Sequence, residues 1–346
     1  MKKIFLIVLT AAAMMASCSN DETVEMAQQK AISFSNAFVN NGTRSIVDPS
    51  FTTENLTDFA VYGFTQNGQI FNGDKVSKGG SASTGWSYAN LQYWVPGNTY
   101  TFGAIAPHSV AANVSGVALP ENATKVEMKV AFTNTDAKQV DLLHAAPPQI
   151  TGVTATYKTP VSMTFNHQLS KVKFSFANVV GVDYNVKVKD VKITNAYKTG
   201  TLTVAAAENT WGNQANNNLE LNFGNVVAEG ATADEAGVIG NTKTLESYNE
   251  KLMIPMNNTA TYTVTFTAEL YKGNVLLGTY PHTVTIKNVE FKLGYCYNFK
   301  ATLTHENIVD PENPLKPIEF TVNSVTDWNE TDINQDLNVP TTHSGI

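Results

Sequence analysis

The sequence predicts an all-β protein of two tandem β-sandwich domains, and three observations carry that reading. Apolar residues alternate with polar ones at a period of two through segment after segment, turn signals rich in glycine and asparagine separate those segments, and helical periodicity is weak wherever it occurs. A length of 346 residues sets the prior at roughly two domains of ~150 residues, each long enough to bury a core.

The amino terminus comes first. Lys2 and Lys3, the apolar run Ile4 to Ala13 and the small pair Ala16-Ser17 form an export signal over residues 1–17. Ten or so apolar residues span only ~15 Å as a helix, about half a bilayer core, so this run is no transmembrane anchor. Met15-Ala16-Ser17-Cys18 resembles the lipobox of bacterial lipoproteins, which implies acylation of Cys18 and retention on a membrane; Met15 departs from the usual leucine. Ser19-Asn20-Asp21-Glu22 is similar to the signal that sends Bacteroidetes lipoproteins to the outer face of the outer membrane.

The strands follow. Tyr100/Phe102/Ala104/Ala106, Val126/Met128/Val130/Phe132, Val172/Phe174/Phe176, the even positions from Tyr262 to Leu270, and Tyr297/Phe299/Ala301/Leu303 each place apolar residues on one face. Val186 and Val188 give way to Val191 and Ile193, a change of phase across Lys189-Asp190 that a β-bulge absorbs. Asn67-Gly68, Asn72-Gly73, Gly79-Gly80, Pro96-Gly97-Asn98 and Lys272-Gly273-Asn274 mark turns. Helical candidates are confined to 53–58 and 233–249, the second broken by Gly237 and Gly240, which excludes alternating βαβ units. The expected boundary lies near Thr151 to Pro160, after Pro147-Pro148, and gives units 45–159 and 160–328. A linker with three prolines, 310–317, precedes a last strand from Ile318 to Trp328, and a tail occupies 329–346.

Composition narrows the function. With 15% charged residues, 42% hydrophobic residues and a net charge of −7, the chain is neither disordered nor suited to neutralising phosphates, so no nucleic-acid partner is expected. Cys18 and Cys296, far apart, form neither a disulfide framework nor a thiolate metal cluster, and Cys296 reads as a small buried hydrophobe. Six histidines stand singly without ligand spacing, and no nucleophile elbow, phosphate loop or calcium loop occurs. No enzyme, cofactor or metal is expected. Trp86, Tyr88, Tyr93 and Trp94 could stack on a glycan as an exposed platform, but Trp86 with Tyr88 and Tyr93 with Val95 share strand faces at the density of a sandwich core.

Several segments together resemble the fimbrillin family of the Bacteroidales, pilus subunits assembled from lipoprotein precursors. They are Ile32-Ser33-Phe34 with Gly42-Thr43-Arg44-Ser45, Asp58 to Gly63, Tyr93-Trp94 leading to Tyr100-Thr101-Phe102 and Ala104 to Pro107, Asp141 to Ala145, Phe165 to Val172, and Val325 to Trp328. The resemblance implies tandem sandwiches of transthyretin-like, Greek-key type. It further implies a lipidated propeptide over 18–44, a proteolytic cut between Arg44 and Ser45, withdrawal of a first strand carrying Ile32, Phe34 and Phe38, and polymerisation by donor-strand exchange. The donor would be a carboxyl-terminal segment, with Ile333, Leu337 and Val339 of the tail presenting one semi-apolar edge, or the strand Ile318 to Trp328 in their place. The partners so implied are other pilus subunits joined head-to-tail, the outer membrane through the lipid, and a host or glycan ligand. Shaft, tip and anchor roles stay open.

Overall fold

The computed structural model describes residues 30–39, 52, 54–79, 85–256, 260–309 and 317–327. Its strands in chain order are β1 (Phe34–Val39), β2 (Asp58–Thr65), β3 (Gly68–Lys78), β4 (Trp86–Ser87), β5 (Tyr100–Ala106), β6 (Val114–Ala118), β7 (Glu127–Thr133), β8 (Leu143–Ala145), β9 (Val161–His167), β10 (Ser170–Asn178) and β11 (Tyr184–Ala196). They continue with β12 (Thr199–Val204), β13 (Thr210–Ala215), β14 (Leu219–Gly224), β15 (Val226–Val227), β16 (Thr244–Ser247), β17 (Lys251–Met253), β18 (Ala260–Lys272), β19 (Val275–Val289), β20 (Tyr295–Leu303) and β21 (Phe320–Asp327). Helix is limited to a 3₁₀ stretch at His108–Asn113 and one turn, α1, at His305–Ile308. The chain is therefore all-β, as the alternation requires. The segment 233–249, read as a weak helix, holds turns and β16.

The strands form four sheets: β1-β9-β8-β5-β2-β3-β4, β13-β12-β7-β6, β15-β16-β10-β20-β21 with β17 also on β10, and β14-β11-β18-β19. In β18, Tyr262, Val264, Phe266, Ala268 and Leu270 are all buried while the threonines between them are not, so one face meets the core and the other water. The last two sheets close on that face and on Phe174, Phe176, Val186, Val188, Phe223 and Phe299. The expected bulge is present: Lys189 pairs with Thr267 and Lys192 with Thr265, and Asp190 between them has φ +53°.

The amino-terminal half is thicker. β2 and β5 are buried on both faces, which explains their continuous apolar runs, Phe59 to Tyr62 and Tyr100 to Ala106. Phe59, Val61, Phe102 and Ala104 face a core enclosed by their own seven-stranded sheet, whereas Ala60, Tyr62 and Ile105 face a second core covered by β6, β7, β12 and β13. Two strands beyond residue 159 pair into this half. β9 joins the first sheet beside β8, and β12 lies against β7 from Thr199↔Thr133 to Val204↔Met128. The chain leaves one pair of layers for the other between His167 and Ser170, where buried polar side chains are paired: His167 Nδ1 meets Asp141 Oδ2 at 2.8 Å and Lys171 Nζ meets Glu250 Oε2 at 3.2 Å.

Candidate functional site: the groove that holds the first strand

β1 is the element whose position asks for a functional explanation. It pairs in parallel with β9, Phe34 opposite Val161, and the Val161 N–H donates to the Ser33 carbonyl at 2.7 Å. Its other flank is held as well. Just before β1, the Ile32 N–H donates to the Gln92 carbonyl at 2.7 Å and the Trp94 N–H to the Lys30 carbonyl at 3.0 Å, with Ala31 bridged to Tyr93. The segment thus lies between two main-chain edges, β9 on one flank and residues 92–94 on the other.

Side chains fix it from within. Ile32, Phe34, Ala37 and Val39 are buried. The Phe34 ring stands edge-on to four others, Phe59 at 5.9 Å, Phe71 at 5.8 Å, Tyr88 at 5.6 Å and Phe102 at 6.1 Å between centroids. Gly63 lets that box form, because a Cβ there would come within 2.9 Å of Phe71 and 3.0 Å of Phe102. The Tyr88 hydroxyl donates to the Ile32 carbonyl at 2.7 Å and accepts from the Gln92 N–H at 3.2 Å. Burial pushes the Tyr88 phenol above its ordinary pKa, so it holds its proton for that bond.

Of the residues expected to leave with the first strand, Ile32 and Phe34 occupy the groove, and Phe38 lies in β1 with its backbone opposite Thr164. A register shift between Ser35 and Phe38 changes the phase, so the later buried positions are Ala37 and Val39, which simple alternation from Phe34 does not reach. Cys18, Arg44, Ser45, Ile333, Leu337 and Val339 lie outside the described residues. The aromatic platform is corrected. Trp86 packs on Phe59 and Trp94 on Tyr100 and Tyr157, both buried; Tyr88 is half-buried in the box, and Tyr93 alone of the four is exposed. These rings wall the groove because a core and a ligand platform present the same spacing in sequence. Among the described residues no group of three or more His, Cys, Asp or Glu side chains could hold a metal ion, and no helix is long and apolar enough to cross a membrane.

Emptying this groove would have two costs at once. Each large side chain withdrawn forfeits about 1.5–3 kcal/mol of burial, and the N–H and C=O groups of two edges would lose their partners. Such a groove accepts an extended strand in place of the one removed.

A family model for fimbrillin-like proteins matches residues 43–328. The chain belongs to the fimbrillin-like family. The match starts just after β1, so the groove lies within the fimbrillin-like region and the strand filling it before that region. Among solved structures, a fimbrial protein from Bacteroides vulgatus is similar in fold, with a TM-score of 0.54 and 16% identity over 86% of this chain and 99% of its own. A candidate cell adhesion protein from Bacteroides uniformis aligns with a TM-score of 0.48 and 16% identity over 88% of this chain and 99% of its own. No curated protein matches this fimbrillin-like chain.

Proposed function

We propose that this chain is a structural, non-catalytic subunit of a cell-surface pilus that supports adhesion. It is made as a lipoprotein acylated at Cys18, carried to the outer face of the outer membrane, and cut between Arg44 and Ser45. The strand 30–39 then leaves, and a carboxyl-terminal strand of another subunit takes its place. Family membership supports the pilus role, and the two-edged groove around Phe34 supports strand replacement.

One observation carries the processing step. Of the 23 basic residues 22 are lysines, so Arg44 is the sole arginine in 346 residues, and it lies in the sequence between β1 and β2. An arginine-specific protease therefore has a single peptide bond to attack. Head-to-tail growth follows because the groove and the strand that fills it are different surfaces, and a heterologous contact that does not close yields a filament.

The test is Arg44→Ala in the full-length chain, with Cys18→Ser beside it. Arg44→Ala should remain long, monomeric and membrane-held, while the parent yields filaments whose subunits begin at Ser45. Filaments from Arg44→Ala equal to the parent's would reject the processing step. Unchanged membrane retention of Cys18→Ser would reject the anchor.

A further inference from the structure

We infer that a polar cleft over the outer face of β8 and β9 binds a neutral sugar unit of a glycan. The inference deepens the adhesion reading above and rests on it for its setting, but it concerns a different face of β9 from the one that meets the groove. On that strand Val161, Met163 and Phe165 belong to the first core, and Ser162, Thr164 and Asn166 between them line the cleft.

The cleft forms where one face of a sheet changes character. Ile105 of β5, His144 of β8 and Asn166 of β9 stand side by side in register. Ile105 is buried in the second core, whereas the same face one and two strands further on carries an imidazole and an amide. The connection between β12 and β13, with Ala205, Glu208 and Asn209, closes over that polar stretch and leaves a cleft of about 470 Å³. That volume is ample for a small polar molecule.

Its polar groups orient one another. Gln168 Nε2 donates to the Asn166 carbonyl at 2.8 Å, which leaves Gln168 Oε1 as the acceptor facing Asn209. Asn209 Nδ2 therefore donates, to Gln168 Oε1 at 2.8 Å and to His144 Nδ1 at 3.1 Å. Both amide hydrogens of Asn209 are thus spent, and its carbonyl oxygen is the group left for a ligand. His144 accepts at Nδ1, so the neutral ring carries its proton on Nε2. Burial, aided by Lys125, lowers its pKa to about 4 and keeps that acceptor available at neutral pH.

The lining selects the ligand. Asn209 Oδ1 accepts, the second Gln168 N–H donates, and the hydroxyls of Ser162 and Thr164 do either. A sugar hydroxyl also does both, so a polyhydroxylated ring answers every one of these groups. An anion can only accept and would meet the Glu208 carboxylate, while a cation can only donate and would meet the Lys125 ammonium. Pro147, Pro148 and Leu293 add the apolar surface that the C–H face of a pyranose covers.

Saturation-transfer NMR on the full-length chain in detergent micelles tests this, with neutral mono- and disaccharides of glucose, galactose, mannose, fucose and N-acetylhexosamines as probes. At least one should bind, and neither sulfate nor spermidine should displace it. Thr164→Trp fills the cleft from an exposed position and should weaken binding at least about tenfold, whereas Ser115→Trp, exposed on β6, should leave it unchanged. His144→Leu should also cost about tenfold, and His144→Gln, which restores an acceptor for Asn209, at most about threefold. No binding of any neutral sugar, binding that Thr164→Trp leaves intact, or displacement by sulfate or spermidine would overturn the inference. A His144→Gln variant as impaired as His144→Leu would overturn the part given to His144. Filaments of Thr164→Trp should match the parent's. A chain that builds filaments and binds no sugar would end this inference and leave the pilus subunit; one that binds sugar in the cleft and builds no filaments would end the pilus reading and leave the cleft.

Discussion

The Tyr88 hydroxyl donates to the carbonyl of Ile32 over 2.7 Å, tying a ring of the groove wall to the main chain of the strand inside it. The bond reads backbone, not side chain, so it fixes where the strand sits along the groove. Tyr88→Phe keeps the ring against Phe34 and Phe71 and removes only this tie. A loss of about 1 kcal/mol is expected. Amide exchange at Ile32 and Trp94 should accelerate by about fivefold, with β18 and β20 unaffected; equal protection in parent and variant would show that the hydroxyl holds nothing.

The box around Phe34 can be probed by emptying or crowding it. Phe34→Ala in the uncleaved chain leaves a cavity among four rings and should cost about 3–5 kcal/mol. Gly63→Ala pushes a methyl against Phe71 and Phe102 and should cost about 1–3 kcal/mol through overpacking. Urea unfolding measures both. Under the proposed processing, Phe34→Ala should no longer matter once the strand has left, whereas Gly63→Ala should still weaken assembly.

Lys171 and Glu250 face each other at 3.2 Å with 2% and 4% side-chain exposure. Lys171→Met alone leaves the carboxylate without this cation and should cost about 3–5 kcal/mol. Adding Glu250→Leu should recover most of that loss. A double variant as unstable as the single one would mean that the pair contributes little beyond its packing.

Stability should also fall in acid through two buried histidines. Burial, aided by Lys125, lowers His144 to about 4, and burial lowers His282 to about 4, from an ordinary 6.5. The unfolded chain protonates these rings below about pH 6.5, whereas the folded chain resists until about pH 4. Their stabilising neutrality is therefore complete above pH 6.5 and is lost progressively as the pH falls to 4. Urea midpoints at pH 7.5, 5.5 and 4.5 should decline, and His144→Gln or His282→Gln should flatten the decline; an unaltered slope in both variants would refute the assignment.

Local patterns were the readable part of this protein. The alternation from Tyr262 to Leu270 and the bulge at Lys189-Asp190 follow from side-chain periodicity, whereas the places of Ile32 and Phe34 in a first strand came from the family resemblance. The shift between Ser35 and Phe38 did not show, because nothing in Ser35-Asn36-Ala37 marks a bulge, and Ala37 and Val39 were missed with it. Trp86 and Trp94 were ambiguous because burial depends on what covers a face. Pairing of β12 with β7 joins residues 66 apart at Thr199↔Thr133, and local sequence carries no sign of such a partner. The Tyr88 ring was singled out, but the role of its hydroxyl was hidden for the same reason: it answers a carbonyl, which every residue has.

That β12–β13 excursion sets a clock on biogenesis. The second core of the amino-terminal half cannot be covered until residues 199–215 arrive, and the first strand has no β9 to pair with until residues 161–167 do. At about 5–20 residues per second, the interval between making β1 and making β9 is on the order of ten seconds. Through that time the leading half remains an unfinished thread with its first strand and its second core still waiting for partners. The long-range seam therefore delays folding until enough of the chain has been made for both halves to close.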